Sequence, residues 1–329
     1  MKILRSKAML LATFMFVSLT AVAESSYDSV VRQSADTVAV TAKPKVYMTR
    51  DISSESLVRI YKALGRKASG RVAVKLSTGE PGGNNFLQPA LISKLVKEVK
   101  GTIVECNTAY GGGRSNTEAH MKAVEDHGFT KIAKVDIMDA EGEVKIPVKG
   151  GSHIDYDIVG KNFMNYDFVV VLSHFKGHAM AGFGGAIKNI SIGIASANGK
   201  RWIHSGGTST SNWGHPTQEQ FLETMAEAGK AVADKCGDNI LYISVMNNLS
   251  VDCDCDAHPA APQMGDIGIL ASLDPVALDK ACVDLVRNSS DEGKVHLIER
   301  IDSRKGMTTL THAEEIGLGS QEYELVEMK

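Results

Sequence analysis

Phe168-Val169-Val170-Val171-Leu172-Ser173-His174-Phe175-Lys176-Gly177-His178 is the stretch on which the fold turns. Its first five residues form an apolar, largely β-branched run, which reads as a buried strand of a parallel sheet. Two histidines (His174, His178), two lysines (Lys176, Lys188) and the glycines Gly177, Gly182, Gly184 and Gly185 follow at once. A second apolar segment then runs from Ile190 to Ile194. In open α/β sheets, loops and helix N-termini converge at the carboxyl ends of strands, and ligands bind there. A knot of titratable groups just past a buried strand is therefore a site candidate.

Working outward, the same rhythm repeats on both sides. Arg71 to Leu76 reads as a strand, and Pro89 to Val99 as a helix with Leu91, Ile92, Leu95, Val96 and Val99 on one face. Thr102 to Cys106 is the next strand, and a glycine-rich loop leads from it to a helix over Thr117–His127 that Gly128 closes. Lys134 to Met138 is strand again. Beyond the central stretch come a helix over Gln218–Cys236, a strand over Ile240–Val245, a strand over Asp266–Ala271 and a helix to about Val286. Asp274 is the N-cap of that last helix and Pro275 its first residue. This alternation predicts an α/β fold: mostly parallel sheet with flanking helices, either one unit or two lobes with a cleft between them.

Composition narrows the classes. The chain has 329 residues, 43% of them hydrophobic, and a net charge of −3. Lys and Arg are interleaved with Asp and Glu, so nothing resembles the basic surface that tracks nucleic-acid phosphates. Lys2, Arg5 and Lys7 precede an apolar run from Ala8 to Val22 that ends in Ala21-Val22-Ala23. That is the pattern of a secretory signal peptide over residues 1–23, cleaved after Ala23, giving an exported protein, periplasmic or extracellular, with no membrane span after signal removal. Residues 24–45 read as a solvated linker and 46–329 as a single α/β domain. Five cysteines in an exported chain leave at least one unpaired, and Cys253 and Cys255 are too close for an easy disulfide; metal ligation or a reducing niche suits them better.

Four groups of residues carry chemistry. Lys188 follows Gly184 and Gly185, whose backbone N–H groups could form an anion nest, with the lysine as point charge or nucleophile. His174 and His178 could each act as general base. Cys253, Cys255 and His258, among Asp252, Asp254 and Asp256, form a candidate soft-metal or redox site, with a bound cation needed to hold the sulfurs as thiolates. Arg114, after Gly111-Gly112-Gly113, could clamp a carboxylate or phosphate, although a tight βα turn needs the same glycines. His204 alone would be an ordinary loop histidine. Cys106 and Cys282 read as core residues.

The strand-SHFKGH-x₃-GFGGAIKN-x-SIGIA segment, Asp252-Cys253-Asp254-Cys255, the Asp266–Cys282 pattern and the Asn107–Arg114 loop together resemble the bacterial and archaeal family called domain of unknown function 362. Many of its members carry a ferredoxin-type cysteine motif; this chain has none, so an iron–sulfur cluster does not follow from the resemblance. More distantly, His178, Lys188 and His204 keep spacings similar to those of the nickel-pincer lactate racemase family. That resemblance implies His178 as acid/base, Lys188 as cofactor tether, His204 as nickel ligand, and the Arg114 loop gripping cofactor or substrate. No second catalytic histidine is evident, and a cofactor built in the cytosol would have to be attached after export. The expectation is an exported enzyme, dependent on a transition metal (nickel, iron or zinc) or other cofactor. It would act on a small anionic substrate by proton or hydride transfer next to a carboxylate. The alternatives are a non-catalytic metal-binding or redox protein using Cys253 and Cys255, and a small-anion binding protein.

Overall fold

The computed structural model describes residues 42–329. The expected signal peptide and nearly all of the expected linker lie outside them. The amino-terminal half holds β1 (Lys45–Thr49), α1 (Ser54–Ala63), β2 (Val72–Lys75), α2 (Pro89–Glu98), β3 (Thr102–Glu105), α3 (Thr117–Asp126), β4 (Val135–Ile137), β5 (Glu143–Pro147) and β6 (Tyr156–Gly160). The central stretch forms β7 (Phe168–His174), β8 (Lys176–His178), β9 (Gly182–Gly184), α4 (Ala186–Ile190) and α5 (Ala197–His204). The remainder forms α6 (Gln218–Cys236), β10 (Ile240–Met246), β11 (Gly268–Ser272), α7 (Pro275–Asn288), α8 (Lys294–Ser303), α9 (Thr308–Glu315) and β12 (Glu324–Glu327).

Eight strands make one sheet in the order β12-β1-β11-β10-β7-β2-β3-β4. The core from β10 through β7, β2 and β3 to β4 is parallel throughout. Strand β11 runs antiparallel to both its neighbours, β1 and β10, so the fold is mixed at that side. All seven residues of β7 are buried because both faces of the sheet are covered. Val169 and Val171 pack into one apolar cluster with Ile187, Ile190 and the inner face of α7. Phe168, Val170 and Leu172 pack into the other, with Leu57, Ile60, Ile92 and Leu95 of α1 and α2. The described residues cluster as one compact unit around this sheet, so the cleft needs no second lobe.

Topology decides where that cleft opens. From β2 the chain steps outward to β3 and β4, then returns to place β7 on the other side of β2. The strand order reverses between β2 and β7, and at such a switch point the connections splay apart and leave a crevice at the carboxyl ends. Lys75 ends β2, Glu105 ends β3 and His174 ends β7, so all three face that crevice end.

Candidate functional site

A cavity of about 750 Å³ lies at this switch point, lined by residues from β2, β3, β7, the β8–β9 hairpin, α4, α5 and the loop between β10 and β11. The hairpin folds back so that Lys176 faces Gly184 and His178 faces Gly182. Gly177 lets the 247–267 loop press against it. A Cβ on Gly177 would stand 2.3 Å from the Val251 carbonyl oxygen, and the Gly177 N–H donates to Ser250 at 2.8 Å. The hairpin and the cysteine loop are further joined through buried Asp254. Its carboxylate accepts from Lys176 Nζ at 2.6 Å and from His174 Nδ1 at 2.9 Å. Burial would raise the Asp254 carboxyl, but His174 and Lys176 outweigh it and hold it well below the usual range. His174 Nε2 donates to the Asn247 carbonyl at 2.6 Å. Both ring nitrogens of His174 are therefore engaged by protein oxygens, and the ring is a fastener.

The two sulfurs are brought to His178. His178, Cys253 and Cys255 offer ligand atoms that all lie within 4.8 Å of one another, and His178 Nε2 is 4.0 Å from Cys255 Sγ. The Cys253 thiol is lowered to about 5, first by the hydrogen bond from Cys255 and then, against burial, by Lys188 and Lys176. The same sharing pushes Cys255 well up, so the pair is one thiolate and one thiol. The acidic neighbours suggested that only a bound cation could hold a thiolate here; two lysines from other segments do so instead. His178 Nδ1 accepts the backbone N–H groups of Ala181 at 2.9 Å and Met180 at 3.2 Å, which leaves the proton of the neutral ring on Nε2. Burial, then Lys188 and His204, lower this ring well below the ordinary imidazole value, so it is neutral at pH 7.

His204 has the opposite tautomer. Its Nδ1 donates to the Lys200 carbonyl at 2.6 Å, so Nε2 carries a bare lone pair. The ring is stacked on Phe221 at 4.8 Å between centroids and meets the edge of Trp213 at 5.0 Å. Burial takes it down to about 4, also neutral. Lys188, half-buried, has no hydrogen bond or ion pair among the described residues, and its charge acts on both rings and both sulfurs. Its stem passes beside Gly184: a Cβ there would make ordinary contact, 3.7 Å, with both Lys188 Cδ and Lys176 Cε. The anion nest expected at Gly184-Gly185 is already filled from within. Asp279 Oδ1 and Oδ2 accept the Ala186 and Ile187 N–H groups at 2.6 and 2.9 Å, and a Cβ on Gly185 would strike Asp279 at 2.2 Å.

Arg114 lines the cavity without being free to clamp a ligand. Its Nε donates to Glu80 at 2.9 Å, and one terminal nitrogen donates to Glu105 at 3.2 Å. Glu105 also faces His120 Nε2 at 2.9 Å and accepts from Thr78; Arg114 and its other cationic neighbours overcome burial and keep its carboxyl well below the usual range. The Tyr110 hydroxyl lies 3.2 Å from both Glu80 and the Cys255 carbonyl, tying this network to the cysteine loop. His258 is exposed and stands outside the group of His178 and the sulfurs, as does His204. Lys75 and Lys200, both buried in the cavity wall, escape a reading by motif. A lysine closing the otherwise apolar strand Val72–Lys75 is the signal that could have found the first.

The donor set fits a soft metal at the two sulfurs, one of them already a thiolate. Tetrahedral zinc holds its ligand atoms about 3.3–3.8 Å apart, so the grouping needs a contraction of about 1 Å. The His178 ring joins only if its proton leaves Nε2, which costs the bonds from the 180–181 turn.

No curated protein matches this chain. Among solved structures, it is similar to the lactate racemase apoprotein of Thermoanaerobacterium thermosaccharolyticum, at 17% identity and a TM-score of 0.36, over 60% of this chain and 50% of that one. It is also similar to a structural-genomics protein from Thermotoga maritima, at 10% identity and a TM-score of 0.39, over 80% of this chain and 58% of that one. The chain thus spans little more than half the length of either. The family model described as a domain of unknown function, DUF362, matches residues 72–284, which carry the sheet core, the hairpin, Lys188 and both loop cysteines, and the chain belongs to that family.

Proposed function

We propose that the protein is an exported, metal- or cofactor-dependent enzyme that acts on a small anionic substrate in the switch-point cavity. One observation carries this reading: an unpartnered lysine amine lines the cavity near two neutral histidines of opposite tautomer and a thiolate. Lys188 holds the cofactor or pairs with the substrate's anionic group. His178 Nε2–H donates a hydrogen bond to an oxygen next to the reacting carbon, where negative charge develops. His204 Nε2 offers the lone pair, the ligand atom that the racemase resemblance implies for a metal. A transition-metal cofactor bound between Lys188 and His204 would supply an electron-pair acceptor for proton or hydride transfer next to a carboxylate. Burial of both histidines in the cavity wall strengthens each of these interactions.

The grouping of His178 with Cys253 and Cys255 favours a second reading, a metal-binding or redox protein without catalysis. Elemental analysis of protein from its native compartment, with deuterium wash-in from D₂O and chiral chromatography on a panel of small carboxylates, separates the two. The enzyme reading predicts turnover in the wild type, with wash-in if a proton moves and without it if a hydride moves, and a loss of about 100-fold in Lys188→Ala. Iron or zinc lost in Cys253→Ser, with no turnover of any carboxylate, supports the second reading; no metal and no turnover leaves an anion-binding protein. Export rests on the charged, apolar and small-residue pattern of residues 1–23. N-terminal sequencing of the mature chain should begin at Glu24, and a retained Met1 overturns it.

A further inference from the structure

Two cations in the cavity wall lack a carboxylate at ion-pair distance among the described residues. Lys75 is 2% exposed; its Nζ donates to the Leu76 carbonyl at 2.7 Å and to Asn189 Oδ1 at 3.0 Å. Lys200 is 8% exposed, and its Nζ donates only to the Ala195 carbonyl, at 2.6 Å. An ammonium carries three N–H donors, so one remains on Lys75 and two on Lys200. Among the described residues neither makes an ion pair, although both line the cavity beside Cys106 and Gly193. Three carboxylates act on them without forming an ion pair; of these, Asp157, which interacts with Lys200, is raised by burial to about 7 and accepts only the Ile158 N–H. Glu105 is held by Arg114, His120 and Thr78, and Asp139 accepts the backbone N–H groups of Asn107 and Ala197. Burial and then Lys200 lower Lys75 to about 8, which still leaves it charged at pH 7, and burial lowers Lys200. A buried ammonium without a carboxylate is costly, and two that repel each other are more so, unless an anion comes to them.

We propose that Lys75 and Lys200 form an anion subsite in the cavity wall, separate from Lys188, that takes a second oxyanion group of the ligand. This deepens the functional reading above and rests on it for the reacting end. Lys188 acts on His178, His204 and both sulfurs, whereas Lys75 and Lys200 both lie near Cys106, and Lys75 Nζ lies against Gly193. The ligand class is then a molecule with at least two anionic groups, a dicarboxylate or a phosphate monoester of a hydroxy acid. A lactate-sized monocarboxylate carries one anionic group and would leave either Lys188 or the Lys75–Lys200 pair without a counter-charge.

The test is isothermal titration calorimetry with inorganic phosphate and, separately, malonate, on wild type, Lys75→Met, Lys200→Met and Lys188→Ala. Metal content is measured on the same samples. Methionine keeps the stem and removes the charge. The proposal predicts that phosphate or malonate binds the wild type, that either methionine variant weakens it at least 10-fold, and that Lys188→Ala retains phosphate binding. Phosphate alone binding indicates a phosphorylated ligand, and malonate alone a polycarboxylate; both support the subsite. Thermal melts guard against misfolding: without anion the methionine variants should melt no lower than wild type, and phosphate should raise the melting temperature of wild type only. The subsite is overturned if neither anion binds, or if both methionine variants bind as wild type does. It is overturned too if Lys188→Ala alone abolishes binding. Loss of phosphate binding in Lys75→Met from a protein that holds no metal keeps the subsite and removes the enzyme reading, so the two fail separately.

Discussion

At the scale of single residues, Cys253 is the most direct reporter of the site. Its thiol is held down to about 5 by the hydrogen bond from Cys255 and by Lys188 and Lys176. The nucleophile is the thiolate, so its reactivity rises as pH rises through the thiol's own value. Alkylation of Cys253 should therefore climb to a plateau with a midpoint near pH 5, and Lys176→Met should move that midpoint upward. A midpoint near the ordinary thiol value of about 8.5 would contradict the thiolate. The Cys-x-Cys pattern was legible as chemistry in the sequence, but its electrostatics were not. The acids at 252, 254 and 256 suggested repulsion, whereas Asp254 is neutralised by Lys176 and His174, nearly eighty positions away. The histidines show the same limit: their spacing marked all three, and only their hydrogen bonds separate the fastener His174 from the donor His178 and the acceptor His204.

At the scale of elements, the hairpin and the short helix after it hold the site together. Gly177 is the point of closest approach to the cysteine loop, and alanine there would meet the Val251 carbonyl. Gly177→Ala should destabilise the protein by about 2 kcal/mol in denaturant melts and raise the Cys253 alkylation midpoint as the loop moves off. Unchanged values for both would show that the contact does not matter. Asp279 caps α4 from α7; Asp279→Ala leaves two buried N–H groups without acceptors, which costs about 2 kcal/mol by the same measurement. The glycine-rich segment was readable as a phosphate-type nest because the backbone geometry is the same whether the anion is a ligand or a side chain. Local sequence carries no sign that residue 279 fills it.

At the scale of the whole molecule, the β-loop-α alternation was enough to read a mostly parallel α/β sheet, and the long strands and helices fall close to where periodicity puts them. Strand β12 and the antiparallel setting of β11 were not readable, because both depend on which strands become neighbours rather than on any local pattern. Strand order also made the cavity: β7 returning beside β2 opens the crevice into which Lys75, Glu105 and His174 project from strand ends. No described helix is long and apolar enough to cross a membrane.

The account depends on Lys188 being the cavity's unpaired anchor for a bound metal cofactor. Native mass spectrometry of the protein taken from its own compartment tests this most directly, by comparing wild type with Lys188→Ala. A metal-containing mass carried by the wild type and missing from the variant is the predicted result. Wild type and variant both flying at the bare mass of the mature chain, or both keeping the same added mass, would contradict it.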